Sequence, residues 1–187
     1  MNELIIGIFW ALYYTIHSAM ASERFKLYLR LTMPTLYPYY RSIYSFFATL
    51  NLLLLIWLHI LVPSMLIFEP GSLKIVGYAF FLFSVIILLI AGKTYGASFL
   101  FREAKSKVLV VSGLNACVRH PLYFGILLFV LGVVLVSPSW KNLVFALVSI
   151  LYLIVGSKLE ERKLINEFGQ EYEDYRKRVK MLVPWIF

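Results

Sequence analysis

A single cysteine, Cys117, excludes an internal disulfide and any metal centre built on a cysteine cluster, and it reads as a small apolar filler. The single aspartate, Asp174, sits in a charged tail, so Ser-His-Asp catalysis is not expected. His17, His59 and His120 stand too far apart for a local zinc motif, and no metal site is expected. No GxG pair and no GxxxxGK[ST] occurs, which removes the glycine turns that cradle dinucleotides and nucleoside triphosphates.

Charge is scarce too. Of 187 residues 15% are charged and 61% hydrophobic, the composition of a membrane protein. Five windows free of Asp, Glu, Lys and Arg are long enough to approach a bilayer crossing: roughly 4–22, 42–62, 75–92, 121–137 and 142–157. The third and fifth extend to 73–92 and 140–158, the latter ending on Lys158, whose long stem can snorkel. No repeat or low-complexity linker divides the chain. The expectation is one all-α integral membrane domain over 1–187 with about five transmembrane helices.

The basic residues set its orientation. Arg24, Lys26, Arg30 and Arg41 lie between the first two spans, Lys93, Arg102, Lys105, Lys107 and Arg119 between the third and fourth, and the rest from Lys158 to Lys180, leaving only Lys74 and Lys141 on the other side. By the positive-inside rule the N-terminus is outside and the tail cytosolic. The net charge of +8 is then a topology signal, and no nucleic-acid partner is expected. With no small-residue cleavage site after it, the first span reads as a retained helix, and the lack of eukaryotic targeting signals points to a prokaryotic inner membrane. Any chemistry must be built at the cytoplasmic face, from the inner loop 93–120 and the tail.

In "ACVRHPLYFG", residues 116–125, two costly polar groups stand at the mouth of an apolar run. The residue before a proline is pushed out of helical dihedrals, whereas proline suits the first helical position, so His120 caps the fourth span and Pro121 starts it. The free N–H groups of that helix start welcome an anion. The turn "SPSWKN" then sends the chain back, and the hairpin returns Glu160 and Glu161 to the face where Arg119 and His120 stand. Beyond it Leu164, Ile165, Phe168, Tyr172, Tyr175 and Val179 recur at helical spacing, with Gly169 placed to break the helix in a left-handed cap. Taken alone, such a tail would lie on the bilayer with its basic residues toward anionic membrane lipids.

"RHPLYFG" followed by "EERKLINEFGQEYEDYRKRV" resembles the isoprenylcysteine carboxyl methyltransferase superfamily of integral-membrane methyltransferases, which includes phospholipid methyltransferases. The first half, "HSAMASERFK" and "YRSIYSFFATLNLLLLIW", resembles the NnrU-type branch, which includes membrane methyltransferases of small thiols such as methanethiol. One departure stands out: many carboxyl and phospholipid methyltransferases carry Gly-Pro-Tyr ahead of the RH pair, where this chain has Gly113, Leu114 and Asn115.

The resemblance implies S-adenosylmethionine (SAM) bound in the C-terminal half, 93–187, between the RHP helix start and the double glutamate. His120, Pro121, Leu122, Tyr123, Gly125 and Tyr172 would contact or shape its pocket, and Glu160 or Glu161 would hold its ammonium. SAM needs cationic donors or a helix N-terminus for its carboxylate and a carboxylate for its ammonium. Arg119 and Arg176 are the candidate catalytic cations, favouring a thiolate or orienting a carboxylate. The implied reaction methylates a small or lipophilic thiol. An isoprenylcysteine-like carboxylate or a phospholipid amine is the rival acceptor, and an NADPH-dependent sterol-reductase relative or a non-enzymatic membrane protein the more distant reading. Oligomeric state is left open.

Overall fold

A computed structural model describes residues 2–95 and 108–187, and every regular element among them is helical. In order these are α1 (Asn2–Ala21), α2 (Glu23–Thr32), α3 (Tyr40–Leu61), α4 (Leu73–Tyr95), α5 (Pro121–Val136), α6 (Trp140–Phe168) and α7 (Gln170–Arg178). Short 3-10 turns at Tyr37–Tyr39 and Gly113–Ala116 precede α3 and α5. The expected topogenic residues Arg102, Lys105 and Lys107 lie outside the described residues.

Four stretches are long and apolar enough to cross a membrane: α1, Tyr37–Leu61, α4 and α6. The fourth span of the sequence reading appears as α5, an apolar helix of 16 residues. At about 1.5 Å per residue it rises roughly 24 Å, short of a hydrocarbon core about 30 Å thick. By the same measure α6, with 29 residues, is roughly 44 Å long, so it outruns the bilayer and carries Glu160 and Glu161 past its apolar stretch.

Small residues bring the helices close. A Cβ added to Gly77 of α4 would come 3.0 Å from the Gly132 carbonyl oxygen of α5, and one added to Gly132 would come 2.8 Å from the Phe81 ring. In lipid, where burying apolar surface gives helices no advantage over acyl chains, such backbone approach is a main source of association. On the other side of the bundle, Ile6 and Trp10 of α1 pack with Leu55, Val130, Phe145 and Ala146, and the Trp10 and Phe145 rings lie 4.6 Å apart.

A polar network crosses this core. The Trp10 indole donates to His59 Nδ1 at 3.2 Å, so His59 carries its hydrogen on Nε2 and donates it to Asn142 Oδ1 at 2.8 Å. Lys141 Nζ donates to the His59 and Val62 carbonyls at 2.9 and 2.6 Å, serving the last carbonyls of α3. His59 and Lys141 thus tie the end of α3 to the start of α6.

Two expectations are corrected. Cys117 is exposed rather than a buried filler, because it closes the Gly113–Ala116 turn at the surface. The tail does break at Gly169, whose φ of 55° favours glycine, but ψ of −125° is not the left-handed helical cap expected. Its first half is the continuous end of α6, not a separate surface helix.

Candidate functional site

The α5–α6 hairpin does what its length dictates: it returns the end of α6 to the start of α5. His120 stands before Pro121 with φ −121° and ψ 71°, outside the helical region, and no side chain caps the helix it precedes. The Leu122 and Tyr123 amides therefore belong to a first turn without an intrahelical acceptor. The His120 side chain is buried between two carboxylates, with Nδ1 3.7 Å from Glu160 Oε2 and Nε2 3.7 Å from Glu161 Oε1. Both distances exceed a hydrogen bond, and Nε2 is buried with no hydrogen-bond partner.

The glutamates differ. Glu161 is buried and bound to Arg119, whose Nε donates to its Oε1 at 2.6 Å while a terminal nitrogen contacts the same oxygen. The Tyr172 hydroxyl points at that oxygen from 3.5 Å. Glu160 keeps 47% of its side chain exposed at the rim.

The tail closes over this pair. Val118 bridges Lys180 in parallel, the Arg119 amide donates to the Lys180 carbonyl at 2.8 Å, and the His120 amide to the Met181 carbonyl at 3.2 Å. The other terminal nitrogen of Arg119 donates to the carbonyls of Arg176, at 3.1 Å, and Val179. Tyr172, Tyr175, Met181 and Leu182 are buried beneath it. Burial, followed by the nearby Glu161 charge, pushes the Tyr172 phenol well up, with Arg119 opposing. Burial raises Tyr175 to about 12, offset in part by its hydrogen bond to Asn115. Both remain neutral donors at neutral pH.

Of the residues singled out from sequence, Arg119, His120, Glu160, Glu161 and Tyr172 meet at one mouth, and Pro121 is buried beside them. Tyr123 reaches it as well, with its ring 5.6 Å from the His120 ring, while Leu122 follows Pro121 in the first turn of α5. Two stand apart. Gly125 faces α4, where an added Cβ would come 2.9 Å from Leu88. Arg176 turns its side chain outward to Glu173, at 3.4 Å, and only its carbonyl joins the site.

The sequence reading missed Asn115, Tyr175 and Gly156. Buried Asn115 meets the Tyr95 hydroxyl through both amide atoms, at 3.0 and 3.2 Å, and its carbonyl accepts from Tyr175 at 2.5 Å. It occupies the last position of the departed Gly-Pro-Tyr, which was the available signal. Gly156 gives Tyr123 room: an added Cβ would lie 3.4 Å from its hydroxyl.

Known proteins resemble the chain along its length. The family described as Phospholipid methyltransferase matches residues 66–171. Methanethiol S-methyltransferase 1 of Bradyrhizobium diazoefficiens is 33% identical, the alignment covering 94% of this chain, which spans 64% of that relative's length. Methanethiol S-methyltransferase of Crocosphaera subtropica is 31% identical, covering 91% of this chain and 70% of its own. Protein-S-isoprenylcysteine O-methyltransferase of Schizosaccharomyces pombe is 33% identical over 51% of this chain and 41% of its own. No solved structure matches. The family match takes in α5, α6 and the mouth residues from Arg119 to Glu161, and the chain belongs to the phospholipid methyltransferase family of membrane proteins.

Proposed function

We propose that this chain is a SAM-dependent methyltransferase acting at the cytosolic face of a membrane on a small or lipophilic thiol. The observation that carries the reading is His120 Nε2, buried and without a hydrogen-bond partner between two carboxylates at an uncapped helix start. A buried polar nitrogen left unsatisfied costs roughly 1–3 kcal/mol, which a ligand at the mouth would recover. When bound, SAM supplies an activated methyl group on a sulfonium.

The residues present suit its separated charges. The Leu122 and Tyr123 amides and His120 receive the carboxylate, and Pro121 and Tyr123 wall the pocket. Exposed Glu160 receives the ammonium, because Glu161 is already committed to Arg119 and the Tyr172 hydroxyl. Arg119 is then a positioning residue that holds Glu161 and the tail. Buried Val118, Met181 and Leu182 keep water from the mouth, which an in-line displacement needs as much as alignment.

The thiol acceptor draws on the names of the Bradyrhizobium and Crocosphaera relatives, and an isoprenylcysteine-like carboxylate on that of the Schizosaccharomyces one. The test is to supply the purified protein in liposomes with methyl-labelled SAM and, separately, an alkanethiol, a prenylcysteine and a phospholipid amine. Label in a thioether is the expected result. Label only in an ester or an amine reassigns the acceptor, and transfer to none of them contradicts the enzyme reading.

A further inference from the structure

A cleft of about 390 Å³ opens between α1 and α3, away from the His120 mouth. Leu12, Phe47 and Leu54, all half-exposed, form its walls. One end is polar: His17 Nδ1 lies 2.9 Å from the Tyr44 hydroxyl, and the Tyr13 hydroxyl donates to the Ala48 carbonyl at 3.4 Å. Tyr44 also donates to the His17 carbonyl at 3.0 Å. Its oxygen is thus the acceptor toward Nδ1, which carries the imidazole hydrogen and leaves Nε2 able to take a proton.

That polar end is the end nearer the mouth. His17 is in the last turns of α1, and Glu23, just beyond them, lies 3.9 Å from Lys163 of α6. Aromatic contacts lead inward from there. Ser18 donates to the Tyr152 hydroxyl at 3.3 Å, and Tyr14 stacks on Tyr152 with centroids 4.3 Å apart. One turn further along α6, Gly156 faces Tyr123, which packs against His120.

We propose that this cleft binds the methyl acceptor and takes it from the bilayer as a thiol carrying an apolar chain, its tail along Leu12, Phe47 and Leu54 and its sulfur toward His17 and Tyr152. The proposal rests on the methyltransferase reading. Its new content is the size and polarity of the acceptor. Drug-sized ligands fill pockets of roughly 300–1,000 Å³, whereas a one-carbon thiol has two heavy atoms and fills only a few times the share of a water, about 30 Å³ in the liquid. Lipid-facing apolar walls with a polar floor at one end fit an amphiphile. In such a transfer His17 Nε2 would take the thiol proton and pass it to water, while the methyl carbon would leave the sulfonium sulfur for the thiol sulfur, so that both sulfurs would end as neutral thioethers.

The test compares kcat/KM for methanethiol, hexanethiol and decanethiol, with SAM affinity measured in parallel on wild type, Leu54→Trp, Ala48→Leu and His17→Gln. The expected result is at least a tenfold rise from methanethiol to decanethiol. Both cleft-filling variants erase that rise, and His17→Gln lowers turnover at least tenfold, with SAM affinity within about twofold of wild type in all three. That affinity also shows that the fold persists, and the two cleft variants serve as independent checks. A flat response to chain length in SAM-binding wild type overturns the cleft assignment and leaves the methyltransferase standing. Failure of wild type to bind SAM overturns both.

Discussion

Glu160 and Glu161 are one helical step of about 100° apart, and that step gives them different work. Glu161 is turned inward, where Arg119, Tyr172 and His120 converge on its Oε1, whereas Glu160 stays at the rim. Removing one partner of a buried ion pair strands the other, so Arg119→Ala should destabilise the protein by about 3–5 kcal/mol. Glu160→Gln removes no such pairing and should leave the unfolding midpoint within about 0.5 kcal/mol of wild type. It should also weaken SAM binding at least tenfold, or about 1.4 kcal/mol. Thermal unfolding in detergent beside a SAM titration checks both, and a large stability loss in Glu160→Gln would contradict the division of labour. The motif marked both glutamates in the sequence; which one is sealed was not legible, because it depends on the tail folding over one side of α6. Arg176 shows the same limit: it was named as a candidate cation of the site, and its guanidinium turns to Glu173 instead.

At the scale of elements, the apolar helices were legible because uncharged length is a strong signal, and the uncharged windows coincide with observed helices within a few residues, apart from the end of α6, although only four stretches are long enough to cross a membrane. Less legible was how they approach one another. Gly77 and Gly132 sit where α4 and α5 backbones nearly touch, while Gly92, on the same helix as Gly77, has nothing within 4 Å of an added Cβ. Sequence treats the two α4 glycines alike. The contacts separate them: Gly77→Ala must move the Gly132 carbonyl and Val136 and should cost about 1–3 kcal/mol. Gly92→Ala should be neutral or stabilise by up to about 1 kcal/mol through helix propensity. Equal unfolding midpoints for the two variants would contradict this packing. The tail's pairing with Val118–His120 was not readable either, since it rests on backbone hydrogen bonds outside any regular element.

For the whole molecule, the distribution of polar groups follows from connectivity. An even return of α6 along α5 puts the helix start, the glutamates and the tail at one end, and the Trp10–His59–Asn142 network with Lys141 fastens the other. That Arg119, His120, Glu160 and Glu161 collect at one end was readable from hairpin length and from the charged residues there. Asn115 was not, because its role depends on Tyr95 and Tyr175 arriving from α4 and α7. The structure joins these through a loop residue that resembles nothing catalytic by itself. SAM binding at this end is measured by calorimetric titration of SAM into the detergent-purified protein. Saturable one-to-one binding that is lost in His120→Ala, while its fold is retained by thermal unfolding, is the predicted result; a well-folded wild type that takes up no SAM would contradict the account.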